Sequence, residues 1–319
     1  MSKHRVISFP HMGDYHVPIR AFLQEICPEA EVRPAPLITK ETATLGARHS
    51  PDFICEPFKY NMGNFIEALE DGANVLVQTG TGCRYGYYGE LQEQILRDLG
   101  YDFEFLCLNR ERSRPFHAYK AFRGLGSPRN AFQMASATLR TIQEIRRMDK
   151  LAHHRRQHPQ TGSEPPLRVG IVGDLYTVME PFSNYDLEQK LAKQGIAVSR
   201  QMSVSFLLLG RSDRRALREA GGYLRHPVGA NGLDSVAQSL RYARSGYDGI
   251  LHVKSFGCTP ELNATPALMN ISQDYDIPIL HMSFDTHTSE VGIETRLEAF
   301  MDMITMRRQA NGSRVSSGG

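Results

Sequence analysis

The chain has 319 residues, 41% hydrophobic and 23% charged, which suits packed cores in two ordinary domains or one large one and excludes wholesale disorder. A net charge of +2 is too small to argue for nucleic acid, and no apolar run approaches the length of a membrane span, so neither is expected as a partner. The amino terminus, Met-Ser-Lys-His-Arg, lacks a secretory pattern, which makes the cytoplasm the expected compartment.

In chain order, Val6 to Phe9 reads as a strand and is followed by a turn at Pro10 to Asp14. Val17 to Ile26 has apolar residues at helical spacing and stops before Pro28. A short strand is expected around Glu31 to Arg33, then a helix from Thr39, its cap, to Gly46. The next helix is expected from Asn61 to Leu69, which leaves Cys55 in the connecting segment before it. Ala73 to Gln78 is a valine-rich buried strand that enters the turn Gly80-Thr-Gly-Cys83 and then a helix over Tyr87 to Leu99.

Tyr101 to Leu108 alternates as a strand, and Phe116 to Leu151 is helical with breaks at Gly124, Gly126 and Pro128. His153 to Pro166 is polar, basic and proline-bounded; it reads as a solvated helix end running into a linker. The strand–helix pattern then restarts: strand Arg168 to Gly173, helix Tyr185 to Gly195, strand Ile196 to Ser199, helix Ser235 to Arg244 and strand Asp248 to Lys254. A helix over Leu262 to Tyr275, a strand over Ile277 to Met282 and a helix over Glu294 to Met306 complete it.

Strands alternating with helices predict an α/β protein: two Rossmann-like (flavodoxin-like) parallel-sheet domains in series with a helical connecting segment. The first covers 1–155 and carries Cys55 and Cys83; residues 156–166 are a linker. The second covers 167–309 and carries Cys258, and 310–319 reads as a disordered tail. In such folds a bound group sits beyond the carboxyl ends of the strands.

The five cysteines, Cys27, Cys55, Cys83, Cys107 and Cys258, are scattered, odd in number and form no C-x-x-C pair. Their number and scatter argue against a disulfide framework, and the lack of a C-x-x-C pair excludes a zinc ribbon and a bacterial ferredoxin run. Cys27, at a helix end, and Cys107, inside a strand, read as packing residues. Cys83 and Cys258 each follow a strand, and Cys55 lies on a loop of the first half. For each, a half-buried structural thiol stands beside a metal or iron–sulfur ligand as the alternative. Three thiolates suit a [4Fe-4S] cubane with one iron left open; zinc is the competing metal, but no histidine lies close to these cysteines in sequence.

At these residues the chain resembles a known family. Cys55-Glu-Pro-Phe-Lys-Tyr-Asn-Met-Gly-Asn-Phe-Ile-Glu-Ala-Leu, Gly82-Cys83-Arg-Tyr-Gly-Tyr-Tyr-Gly-Glu and Phe256-Gly-Cys258-Thr-Pro-Glu261 look like the three cysteine motifs of the 2-hydroxyacyl-CoA dehydratase-like proteins. The nearest branch is the acyl-CoA dehydratase activase-related group, similar to the D component of 2-hydroxyglutaryl-CoA dehydratase. Glu180-Pro-Phe-Ser-Asn-Tyr-Asp, Tyr247-Asp-Gly-Ile and Ser283-Phe-Asp-Thr-His-Thr-Ser-Glu290 add to the resemblance, which spans nearly the whole chain. Thr81-Gly82 stands before Cys83 where many relatives have Gly-Pro, and Ser289 stands where glycine is frequent.

The resemblance implies an oxygen-sensitive [4Fe-4S] cluster on Cys55, Cys83 and Cys258 and dehydratase or low-potential reductase chemistry. It also implies an ATP-dependent activase as electron donor, a small-molecule or acyl-CoA substrate, and an oligomer, with a related subunit among its partners. Arg84 is then a candidate to balance cluster charge or hold an anion, Glu261 an acid/base group or helix cap, and His287, between Asp285 and Glu290, a proton shuttle. Tyr85, Tyr87 and Tyr88 read as packing. Two rivals stand beside the redox enzyme: a non-catalytic cluster-carrying electron-transfer partner, and a metal-free small-molecule binding protein. Gly170-Ile-Val-Gly173 lacks the full dinucleotide fingerprint.

Overall fold

The computed structural model describes residues 4–79, 87–108, 115–159, 166–210, 213–226 and 228–316. The chain forms two compact units, Met1–Met148 and Asp149–Gly319. Unit 1 contains β1 (Val6–Ser8), α1 (His16–Ile26), β2 (Glu31–Val32), α2 (Lys40–Arg48), α3 (Glu56–Glu70) and β3 (Val75–Thr79). It continues with α4 (Tyr88–Asp98), β4 (Glu104–Leu108), α5 (Pro115–Gly124) and most of α6 (Ala131–Gln157). Its four strands are all parallel, in the order β2-β1-β3-β4.

Both faces of this sheet are covered, which is why the inner strands β1 and β3 read as apolar runs, whereas the edge strand β4 keeps the alternation read from Tyr101 to Leu108. Ile7, Val75 and Val77 point to the side packed by Leu23 and Ile26 of α1 and by Met134 and Ala137 of α6. Val6 and Leu76 point to the other side, against Phe58, Met62 and Phe65 of α3 and Leu96 of α4. The period of two along each strand thus assigns one core to each face.

Helices α2 and α3 meet backbone to backbone at two glycines. A Cβ on Gly46 would stand 1.8 Å from the Lys59 carbonyl oxygen, and one on Gly63 would stand 2.1 Å from that of Thr42. The expected Thr39 cap is present, with a full capping box to Thr42.

Unit 2 repeats the plan. It holds β5 (Arg168–Gly173), α7 (Leu175–Met179), α8 (Pro181–Asn184), α9 (Leu187–Lys193), β6 (Ala197–Arg200) and α10 (Asp213–Ala220). Then come α11 (Gly232–Arg244), β7 (Gly249–Ser255), α12 (Thr259–Asp274), β8 (Ile279–Phe284) and α13 (Glu290–Ser316). The sheet is again all parallel, in the order β6-β5-β7-β8. The α/β architecture with two parallel sheets is therefore the one the strand–helix alternation predicts.

Element boundaries depart from expectation where local chemistry overrides periodicity. Helix α3 starts at Glu56 rather than near Asn61, because Cys55 is extended at the cap position and Pro57 fits the first turn, where its missing N–H is harmless. The single helix expected over Tyr185 to Gly195 is broken, since Tyr185 and Asp186 are left-handed at φ 56° and 55°. Helix α12 starts at Thr259, three residues before the expected Leu262, again with a proline in its first turn. Helix α10, the π-helical turn Phe206–Gly210 and the 3-10 turn Gly221–Tyr223 have no counterpart in the periodicity. Helix α13 runs into the stretch from Ala310 that reads as a tail. No helix among the described residues is long and apolar enough to cross a membrane.

Candidate functional site

In each sheet the chain first adds a strand on one side of the opening strand and then crosses to the other. The switch points lie between β1 and β3 in unit 1 and between β5 and β7 in unit 2. Crevices at the carboxyl ends of such strand pairs are the usual ligand positions in open α/β sheets. Near the second one lies a row of buried titratable side chains.

Strand β5 ends at Gly173, whose φ of 149° and whose missing Cβ, which would fall 1.7 Å from the Val253 carbonyl oxygen, let β5 turn away tightly. Asp174 follows. Its Oδ1 accepts the Thr177 N–H at 2.9 Å, capping α7, and its Oδ2 accepts the Ser255 N–H at 2.6 Å, at the end of β7. Burial pushes the Asp174 carboxyl above its ordinary range, against the opposing pull of these backbone donors.

Strand β7 is buried along its whole length, and Ile250, His252 and Lys254 alternate onto one face. The register places Val172, His252 and His281 side by side across β5, β7 and β8. His252, fully buried, joins Glu261 Oε2 through Nε2 at 2.9 Å and His281 Nδ1 through its own Nδ1 at 2.8 Å. Glu261, the third residue of α12, is also fully buried, and its second oxygen, Oε1, has no hydrogen-bond partner among the described residues. Burial, followed by the neighbouring His252, Lys254 and Arg296, pulls the half-buried His281 down to about 4, so it is neutral at physiological pH. Burial also pulls the Lys254 ammonium down, opposed by Cys258, Asp174 and Glu261.

Cys258 is the residue that opens α12. Its N–H donates to the Ser255 carbonyl at 3.0 Å and its own carbonyl accepts from Leu262 at 3.0 Å, so the half-buried thiol sits at the first turn of a 16-residue helix. Cys55 has the same station in unit 1: it caps the 15-residue α3 in an extended conformation and is half-buried. In both cases the helix N-terminus favours the thiolate. The Cys55 Sγ contacts the Tyr88 hydroxyl, and the Tyr88 ring packs edge-on against Phe58 at 5.2 Å. Next to it, Glu56 and Lys59 form a buried ion pair at 2.7 Å, which prevents the Glu56 charge from standing alone at the helix start.

Of the other expected site residues, Cys83 and Arg84 lie outside the described residues, as does Tyr85. His287 is exposed in the turn after β8; Asp285 accepts its backbone N–H at 2.9 Å, and Glu290 pairs with Lys190 at 2.8 Å. Glu261 is a buried partner of His252 rather than a surface cap. Cys27 and Cys107 are both buried, as packing residues should be. Among the described residues, no group of three or more His, Cys, Asp or Glu side chains is set to hold a metal ion.

Sequence reading passes over Asp174, His252, Lys254 and His281. A signal is there: in Gly-Ile-Leu-His-Val-Lys-Ser, the histidine and lysine fall two apart on the same face as Ile250, where a covered strand should be apolar. Comparison with protein-family models found no match, and comparison with curated proteins found none either.

Proposed function

We propose that the chain is an iron–sulfur redox enzyme or enzyme subunit of the 2-hydroxyacyl-CoA dehydratase-like type. Cys55, Cys83 and Cys258 would hold one [4Fe-4S] cluster with an open iron, and an ATP-dependent activase would supply the electron. The observation that carries this reading is the shared station of Cys55 and Cys258. Each half-buried thiol immediately precedes a long helix, with a proline at the second helical position. This donor chemistry fits an iron–sulfur cluster, because a helix N-terminus stabilises thiolates and thiolates are the ligands of such clusters.

The cluster, when bound, would supply low-potential one-electron reduction of a small molecule, with an acyl-CoA thioester as the substrate class implied by the resemblance. The chain's own residues would do the rest. Asp174 fixes the turn after β5 to the end of β7, so the loop carrying Cys258 is held against the sheet. Lys254, buried next to that loop, provides positive charge towards which a thiolate or a bound anion is drawn. Glu261 offers a carboxylate oxygen with no protein partner among the described residues.

The test is anaerobic purification followed by iron and acid-labile sulfide analysis and electron paramagnetic resonance of the reduced protein. About four irons and four sulfides per chain are expected. Cys55→Ser, Cys83→Ser and Cys258→Ser should each remove most of the cluster, whereas Cys107→Ser should leave it. Iron-free protein, or an unchanged spectrum in all three variants, would sink the proposal. A second reading, a metal-free small-molecule binding protein, is favoured by the buried Asp174, Lys254 and Glu261 at the switch point. A ligand bound by iron-free chain would support it.

A further inference from the structure

We infer that Glu261, His252 and His281 form a proton conduit between the half-buried edge of β8 and a fully buried carboxylate at the start of α12. The inference requires no metal: every atom of the path belongs to this chain. Three side chains from three elements are joined end to end, with Glu261 Oε2 to His252 Nε2 at 2.9 Å and His252 Nδ1 to His281 Nδ1 at 2.8 Å. The interior two, His252 and Glu261, are both 0% exposed, so water does not reach them directly.

A fully buried histidine is ordinarily satisfied by one backbone carbonyl. Here both ring nitrogens of His252 are bonded to titratable groups, an arrangement that can exchange protons at both ends. The conduit starts from the tautomers in which His281 donates from Nδ1 to His252 Nδ1 and His252 donates from Nε2 to the Glu261 carboxylate. The low basicity of His281, set first by burial, agrees with a neutral His281.

Transfer then balances without leaving charge on the rings. The N–H bond of His252 at Nε2 breaks as an O–H bond forms at Oε2, which turns the Glu261 carboxylate into the acid. The Nδ1–H bond of His281 breaks as His252 gains a proton at Nδ1, and solvent replaces the lost proton at His281 Nε2. Each ring changes tautomer, and one proton has moved inward. The other oxygen of that acid, Oε1, is buried and lacks a partner among the described residues.

The groups facing this path come from every neighbouring element: Asp174 after β5, Lys254 on β7, Cys258 at the start of α12 and Arg296 on α13. Arg296 donates to the His281 carbonyl oxygen at 2.5 Å, holding the outer end of the path to α13. A merely structural chain would show the same bonds but would not pass protons, and this is what the experiment separates.

The experiment uses the full chain labelled with nitrogen-15 at histidine. A through-hydrogen-bond nitrogen–nitrogen coupling between the Nδ1 atoms of His252 and His281 is expected; its absence overturns the inference. Exchange of the His252 ring proton with water should then be slower in His281→Gln by roughly tenfold or more, since an amide bonds but does not relay. Backbone amide exchange in β7 serves as the control for the fold. Equal ring-proton exchange in the two proteins, with β7 protection unchanged, also overturns it. Should His281→Gln fail to fold, exchange of the His252 ring proton in the unaltered chain decides: a rate no faster than that of the β7 backbone amides overturns the inference.

Discussion

Asp174 and Ser255 are joined across the switch point of the second sheet, with the carboxylate Oδ2 accepting the Ser255 N–H at 2.6 Å. The other oxygen caps α7 through Thr177 at 2.9 Å, so one side chain ties the ends of two strands to the start of a helix. Asp174→Ala leaves two buried N–H groups without acceptors and should lower the unfolding free energy by about 2–4 kcal/mol, measured by chemical denaturation.

The same residue has a signed pH effect. Burial raises its folded-state pKa above the ordinary 3.8, so the folded chain binds this proton more tightly than the unfolded chain. Its contribution is fully present below the ordinary value and is lost as pH rises through the folded one. Relative to wild type, Asp174→Asn should therefore gain stability as pH increases over that window. A flat or oppositely sloped difference in denaturation midpoints would contradict the assignment.

Gly63 is where α2 and α3 cannot separate without losing the core beneath them. Its missing Cβ would be 2.1 Å from a backbone oxygen, a contact that no side-chain movement relieves. Gly63→Ala should destabilise unit 1 by about 3 kcal/mol through overpacking. Gly292→Ala in α13 is the matched control: the nearest atom to its added Cβ is 3.9 Å away. It should be neutral or stabilising by up to about 1 kcal/mol, through helix propensity. Equal thermal shifts in the two variants would remove close packing as the reason for Gly63.

His281 gives the opposite pH slope to Asp174. Its folded value, about 4, lies below the ordinary 6.5, so its contribution is present above 6.5 and lost as pH falls towards 4. The full effect is at most about 3 kcal/mol, since each tenfold loss of proton affinity is worth about 1.4 kcal/mol. His281→Gln should flatten the fall in stability over that acid range, read from urea midpoints at a series of pH values. An unaltered acid limb would place the titration elsewhere.

The fold was legible because a covered parallel strand must be apolar on both faces, and runs such as Val75-Leu-Val and Val169-Gly-Ile-Val announce that. The breaks near Tyr185 were less legible, since a left-handed backbone at a tyrosine and an aspartate leaves no mark in periodicity. The stations of Cys55 and Cys258 at helix starts were half legible: the cysteines stood out, but each helix begins earlier than its apolar spacing indicates. The polar row of unit 2 escaped because His252 and Lys254 were absorbed into a strand already explained by its aliphatic residues. Their meaning comes from Glu261 and His281, which the chain brings in from a following helix and the next strand.

Cys107 separates packing from ligation among the thiols. It is buried on β4, and a Cβ added to Gly89 of α4 would come within 2.3 Å of its sulfur, so α4 is fitted closely around it. Cys107→Ser replaces an apolar sulfur with a smaller hydroxyl in that contact and should lower stability by about 1–3 kcal/mol. Gly89→Ala should be at least as damaging, because the added methyl meets the same sulfur from the other side. Neither change alters the set Cys55, Cys83 and Cys258, so iron per folded chain should stay at the wild-type value while the melting temperature falls. Cys258→Ser should do the reverse, losing iron while the iron-free chain keeps most of its stability, since the half-buried Cys258 caps α12 with its backbone rather than its sulfur. If Cys107→Ser instead lost iron at unchanged stability, Cys107 would have to replace one of the three proposed ligands.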